Sequence, residues 1–243
     1  MSERAALVPI FIFSESVVRP TCVKEDQKML TNHEFEKEIV RKIRLPYLIY
    51  TPESYDPEKK SPLLVFLHGA GERGNDLSLI TRHGFFKQAV AGTAFPFVMA
   101  GPQCPHDRYW GNYLESLNDF LDEIIEVYNI DKTRVYLTGL SMGGTGVWQW
   151  LMANPERFAA AAPVCGSGIY WYAGKVAHKP IWMFHGEADT TVLPSESIQM
   201  EANLRKNGGN PKLTLFPQVG HNAWDYAYNK TLVDWLMAQK LHD

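Results

Sequence analysis

Gly139-Leu140-Ser141-Met142-Gly143 is the segment whose residue types and spacing speak first for chemistry. Glycines two positions either side of a serine suit a turn too tight for side chains there, and Gly144 lets a following helix come close. An apolar run over 135–138 enters the segment and a helix-like stretch from 144 leaves it. The serine is therefore expected on a strand-to-helix turn, with its hydroxyl raised above the end of a sheet and a helix N-terminus behind it. Such a hydroxyl is a nucleophile once a base takes its proton and an acid orients the base.

Of the eight histidines, His33 and His242 fall in weakly patterned termini, and His83 and His106 precede the serine. His68 and His185 directly follow apolar runs and precede glycine, which suits bonding to a neighbouring loop. His178 sits in a basic, turn-like stretch beside Pro180. His221 follows the run 213–216 through Pro217-Gln218-Val219-Gly220, a loop able to swing the ring over the serine, and is the expected base. The acid should follow the preceding run, 181–184, where the chain reads His185-Gly186-Glu187-Ala188-Asp189. Asp189 is favoured because its short carboxylate lies just beyond the turn; Glu187 is the alternative, and Asp225 is expected to cap the last helix. The loop Leu67-His68-Gly69-Ala70-Gly71-Glu72-Arg73-Gly74 has three glycines in six positions, so its backbone can turn N–H groups toward a reacting oxygen. The amides of Ala70 and Met142 are the expected oxyanion donors. This loop lacks the G-x-x-x-x-G-K-[ST] spacing of a nucleotide site. Trp110, Trp224, Tyr170 and Trp171, with Tyr172 beside them, are the aromatics expected to line a substrate pocket.

These residues need a scaffold, and the pattern supplies one. Short apolar runs at 63–67, 97–100, 135–138, 159–164, 181–184 and 213–216 alternate with helix-like stretches at 77–91, 113–128, 144–154, 195–207 and 223–240. The second of these stretches carries Leu114, Leu117, Phe120, Leu121, Ile124, Ile125 and Tyr128 on one helical face. Strands alternating with helices make an α/β protein with a mostly parallel sheet covered on both faces. Ahead of it, 36–43 and 47–51 are expected to form an antiparallel hairpin. Residues 1–30 read as an arm with no strong period, and 31–243 as one domain. The interval 163–180 is too short for a helical cap, which leaves the expected site open.

Composition narrows the partners. The 243 residues carry 24 Lys+Arg against 27 Asp+Glu, a formal charge of −3, so neither nucleic acid nor an anionic membrane is an expected partner. Three separated cysteines (Cys22, Cys104, Cys165) fit neither a disulfide framework nor a zinc ribbon. The apolar stretch 5–13 is short, contains Pro9 and lacks a small-x-small cleavage site, and no run approaches a membrane span. A soluble cytoplasmic protein is expected, with no metal or organic cofactor.

The segments 67–74 and 139–144, Asn154-Pro155-Glu156-Arg157-Phe158, and His185-Gly186 through Asp189 resemble the α/β-hydrolase superfamily, over about residue 45 to the C-terminus. Within it, the chain looks like the carboxylesterases related to feruloyl and acetyl-xylan esterases, dienelactone hydrolases and polyhydroxybutyrate depolymerases. The resemblance implies an α/β-hydrolase fold with an eight-stranded sheet whose first strands are antiparallel, and a Ser141–Asp189–His221 triad served by the amides of Ala70 and Met142. It implies a serine carboxylesterase acting on short-chain or aryl acyl esters, feruloyl, cinnamoyl or polymer-attached esters among them. A serine peptidase or amidase of the oligopeptidase type and a non-catalytic binding protein on the same fold are the alternatives.

Overall fold

Alternation within one strand sets the layers of the molecule. In the computed structural model, which describes residues 21–22, 31–40 and 42–241, β4 (Ser61–Leu67) turns Leu63, Val65 and Leu67 to one face of the sheet and Leu64 and Phe66 to the other. Both sets are fully buried, as a strand covered on two sides requires. The first face packs on α2 (Leu114–Val127), α3 (Met142–Ala153) and α4 (Ser195–Lys206), through Leu117, Leu121, Val147, Leu151 and Met200. The second packs on α1 (Gly84–Val90), α5 (Trp224–Ala227) and α6 (Lys230–Met237), through Phe85, Phe86, Ala227, Leu232 and Leu236.

The sheet also contains β3 (Tyr47–Tyr50), β5 (Val98–Pro102), β6 (Ile130–Leu140), β7 (Ala160–Val164), β8 (Trp182–Gly186) and β9 (Lys212–Phe216), in the order β3-β5-β4-β6-β7-β8-β9. All pairs are parallel except β3 with β5. After β4 the chain steps outward to β5, then returns across β4 to lay down β6. The carboxyl ends of β4 and β6 thus flank a topological switch point, where open α/β sheets bind ligands. Leu67 and Gly139 are register partners there, which sets the 68–74 loop against the serine turn.

Three expectations change. Among the described residues the sheet has seven strands rather than eight: 33–40 carries no strand, and Tyr47–Tyr50 pairs with Val98–Pro102 instead of forming a hairpin with 36–43. Residues 77–91 are a 3-10 segment, Leu77–Arg82, and then α1, because the chain breaks at Gly84. Gly84 has φ +64, and the Phe66 ring fills the space a Cβ would take. The last helix also breaks: Asn229 accepts from the Leu232 N–H at 3.1 Å and starts α6 afresh. The described residues fall into two units, one up to Ile43 and one from Arg44 onward. In the first, β1 (Thr21–Cys22) pairs antiparallel with β2 (Thr31–Asn32). The rest of the 1–30 arm, including 5–13, lies outside the described residues. Among the described residues no helix is long and apolar enough to cross a membrane.

Candidate active site

Ser141 joins β6 to α3 with φ +54 and ψ −119, a conformation most L residues avoid. The turn is held by the Ser141 N–H bonded to Val164 O at 2.9 Å. It is tight enough that a Cβ on Gly139 would lie 2.6 Å from Leu67 O, and one on Gly143 would collide with the same oxygen.

The Ser141 hydroxyl donates to His221 Nε2 at 2.8 Å, and His221 Nδ1–H donates to Asp189 Oδ2 at 2.7 Å. The other carboxylate oxygen, Oδ1, accepts from the N–H groups of Thr191 (2.8 Å) and Val192 (3.0 Å). Burial alone would raise the Asp189 pKa; hydrogen bonds from His221, Val192 and Thr191 outweigh it and hold the carboxyl below the usual range. Glu187, the alternative acid, is exposed, and Asp225 sits outside the site, bonded to Asn222. The loops bearing Asp189 and His221 are tied together: Glu187 N–H donates to Phe216 O at 3.0 Å and Ala188 N–H to Val219 O at 2.9 Å. At Gly186 no side chain would fit against the Val219 and Gly220 carbonyls.

Cys165, at φ +39, donates its thiol to His221 O at 3.4 Å. Donor atoms of Cys165, Asp189 and His221 lie within 4.8 Å of one another, a spacing a metal ion can use. The Asp189–His221 pair already shares a short hydrogen bond, however, and burial pushes the Cys165 thiol up to about 12, so the cluster suits proton transfer better than ligation.

Met142 opens α3, and Ala70 opens the 3-10 turn Ala70–Glu72. Each N–H therefore stands at the start of a helical turn, without a preceding turn to bond. Five contacts brace the loop bearing Ala70. His68 Nδ1–H donates to Gly69 O (2.6 Å), and His68 Nε2 accepts from Cys104 N–H (3.0 Å). Gln103 Nε2 donates to the carbonyls of Glu72 (2.9 Å) and Asp76 (2.7 Å), and Gly74 N–H donates to Cys104 O (2.9 Å). This use of His68 requires the neutral ring, and burial lowers its pKa to about 4 despite the Gly69 bond.

Of the expected pocket aromatics, Trp224 alone is brought against the triad: its ring meets His221 edge-on at 5.3 Å and is flanked by His83, also at 5.3 Å. Trp110 is a correction. It is 1% exposed, donates its indole N–H to His68 O at 3.0 Å and packs flush on α3 at Gly146, so it lies beneath the 68–74 loop instead of lining an open pocket. Tyr170 and Trp171 lie on the exposed 3-10 segment Tyr170–Lys175, with rings packed on each other at 4.8 Å. The sequence gives Gln103 and the backbone of Cys104 no bracing role by residue type. The available signal was their place at the end of the strand beside β4.

A profile of the dienelactone hydrolase family matches residues 107–229. The chain belongs to that family. It is 28% identical over 148 residues to the bifunctional acetylxylan esterase/xylanase XynS20E of Neocallimastix patriciarum, over 58% of this chain and 21% of that protein. The chain spans about a fifth of the first curated relatives it matches. Among solved structures, a thermostable esterase superposes with a TM-score of 0.72 at 30% identity, over 92% of this chain and 63% of that one. A ferulic acid esterase superposes with a TM-score of 0.63 at 18% identity, over 78% of this chain and 90% of that one, a likeness of fold.

Proposed function

We propose that the protein is a serine carboxylesterase. The observation that carries the reading is the unbroken hydrogen-bond chain from Ser141 Oγ through His221 to Asp189, beside two N–H groups at starts of helical turns. Ser141 Oγ attacks the ester carbonyl carbon as His221 Nε2 takes its proton. The amides of Ala70 and Met142 hold the oxyanion, and Asp189 keeps the His221 tautomer and stabilises the imidazolium. His221 returns the proton to the alcohol oxygen as the C–O bond breaks. Water, activated by the same ring, then frees the acid from the serine ester.

Membership of the dienelactone hydrolase family supports ester hydrolysis, and the esterase and acetylxylan esterase likenesses agree with it. Trp224 beside the base favours flat acyl or alcohol groups, and the short connection between Val164 and Trp182, with only the 3-10 segment Tyr170–Lys175 in it, suits small esters or esters carried on a polymer. Hydrolysis of p-nitrophenyl esters from acetate to decanoate and of methyl ferulate tests the reading. Ser141→Ala should lose on the order of 10⁴-fold in rate. Activity surviving in that variant would overturn the assigned nucleophile. Faster turnover of amino-acid amides than of matching esters would favour a peptidase, and no turnover with no fluorophosphonate labelling would favour a binding protein.

A further inference from the structure

One buried histidine beside the triad has no part in that mechanism. His185 is the penultimate residue of β8 and is fully buried, with both ring nitrogens engaged. Nδ1 lies 2.7 Å from Ser197 Oγ, and Nε2 lies 2.9 Å from Val192 O. A carbonyl oxygen can only accept, so Nε2 carries the proton; in the neutral ring Nδ1 is then a lone pair, and the Ser197 hydroxyl must donate to it. The same Nε2 stands 3.4 Å from Asp189 Oδ2, the oxygen that also accepts from His221. Oδ2 therefore accepts from Nδ1–H of His221 and has the Nε2 edge of His185 beside it, whose N–H is itself given to Val192 O.

Residues 185–192 form a closed loop whose two ends are joined by the His185–Val192 bond, with Asp189 between them. Val192 is held through both backbone groups: its N–H by Asp189 Oδ1 and its C=O by His185. Ser197 is 3% exposed and sits on the first turn of α4, so it ties this loop to a rigid element. With the other tautomer, a lone pair on Nε2 would confront two acceptors, Val192 O and Asp189 Oδ2, and drive the carboxylate from its place.

Resting on the triad reading above, we propose that His185 and Ser197 are positioning residues for the acid: Ser197 holds the plane and tautomer of His185, and His185 Nε2–H sets the rotamer of Asp189 so that Oδ2 meets His221. Without this clasp Asp189 keeps its backbone bonds through Oδ1, but Oδ2 is free to turn away from Nδ1 of the base. The effect then appears in the ionisation and turnover of His221, beyond any loss of stability.

Three variants separate the roles. His185→Leu removes both bonds, Ser197→Ala removes the hydroxyl alone, and His185→Gln places an amide N–H near the Nε2 position. Active sites are counted by fluorophosphonate titration, and kcat and KM for p-nitrophenyl butyrate are followed against pH. Per active site, kcat should fall about tenfold in Ser197→Ala and more in His185→Leu, a share of the 10²–10⁴ that a positioned base contributes. KM should change little. The acid limb of kcat/KM should move to lower pH, because the imidazolium loses its fixed counter-charge. The titratable groups around His221 are Asp189, His185 beyond it, the Cys165 thiol, which stays neutral across the assay range, and His83 with Glu72 on the far side of Trp224. His185→Gln should recover most of the loss.

The low-field proton resonance of His221 Nδ1–H needs no substrate. It should be sharp in the wild type, and broadened or shifted upfield in Ser197→Ala and His185→Leu. A folded His185→Leu with wild-type kcat per site, an unmoved acid limb and an unchanged low-field proton would overturn the proposal; if that variant does not fold, the same three results in Ser197→Ala would do so. A wild type that hydrolyses no ester would defeat the esterase reading, and the resonance would still decide this one.

Discussion

Trp110→Phe discriminates a residue that supports the 68–74 loop, the proposed source of an oxyanion donor, from one that touches substrate. Phenylalanine keeps an aromatic ring near His68, which the indole meets at 4.9 Å, but removes the N–H that reaches His68 O at 3.0 Å. His68 is 1% exposed, so its carbonyl has no easy recourse to water. An acceptor left unpaired in such a place costs about 1–3 kcal/mol. The lost ring volume, roughly 40 Å³, adds about 1 kcal/mol if the core does not close over it. The expected loss of stability is thus about 2–4 kcal/mol, read as a lower urea midpoint with an unchanged slope. Because the freed carbonyl lies two residues before the Ala70 amide, about 1.4 kcal/mol of the penalty expressed in the loop would lower kcat about tenfold. That drop should be the same for p-nitrophenyl acetate, butyrate and decanoate. A changed chain-length preference without a fall in the urea midpoint would refute this reasoning and return Trp110 to the pocket wall.

His68 should also impose a pH dependence on stability. Its pKa is about 4 in the folded protein against an ordinary 6.5, so between those values the unfolded chain binds the proton more readily. The stability is fully present above pH 6.5, falls by about 3 kcal/mol as the pH drops toward 4, and changes no further below that on this account. Urea unfolding of the wild type and His68→Gln from pH 3.5 to 7 checks it: the variant should lack that share of the slope, and parallel curves would refute it. For the pocket, Trp224→Ala should lower the rate on methyl ferulate relative to p-nitrophenyl butyrate by about 2–10-fold, the worth of one aromatic contact. Trp171→Ala, at a residue 68% exposed, should leave that ratio unchanged, and equal shifts in both variants would put the pocket elsewhere.

The layered fold was legible because local pattern and burial agree. A strand such as Leu63-Leu64-Val65-Phe66-Leu67 has no polar side to offer water, and the stripe of α2 has one apolar face. The serine turn was legible for a harder reason: at Gly139 and Gly143 side chains cannot fit, so the turn leaves its mark in the sequence itself. His221 and Asp189 followed from their places after successive strands, a matter of topology more than of local preference. The hairpin expected over 36–51 failed because strand pairing is non-local. Tyr47–Tyr50 finds its partner about fifty residues on, at Val98–Pro102.

The chain's own order determined which residues stand at the carboxyl ends of the strands, and so which could form a nucleophile, a base and an acid. Only the tertiary structure decided what each aromatic and each spare histidine does. Trp110 and Trp224 both looked like pocket residues, yet one lies beneath the 68–74 loop and the other against His221. His185, read as structural, stands 3.4 Å from the carboxylate that orients His221, with Ser197 of α4 bonded to its other nitrogen. The periodicity of a segment reports how much of a side chain is buried. It carries no record of which distant backbone oxygen or carboxylate that side chain will meet, because that partner is set by how the loops at one end of the sheet converge.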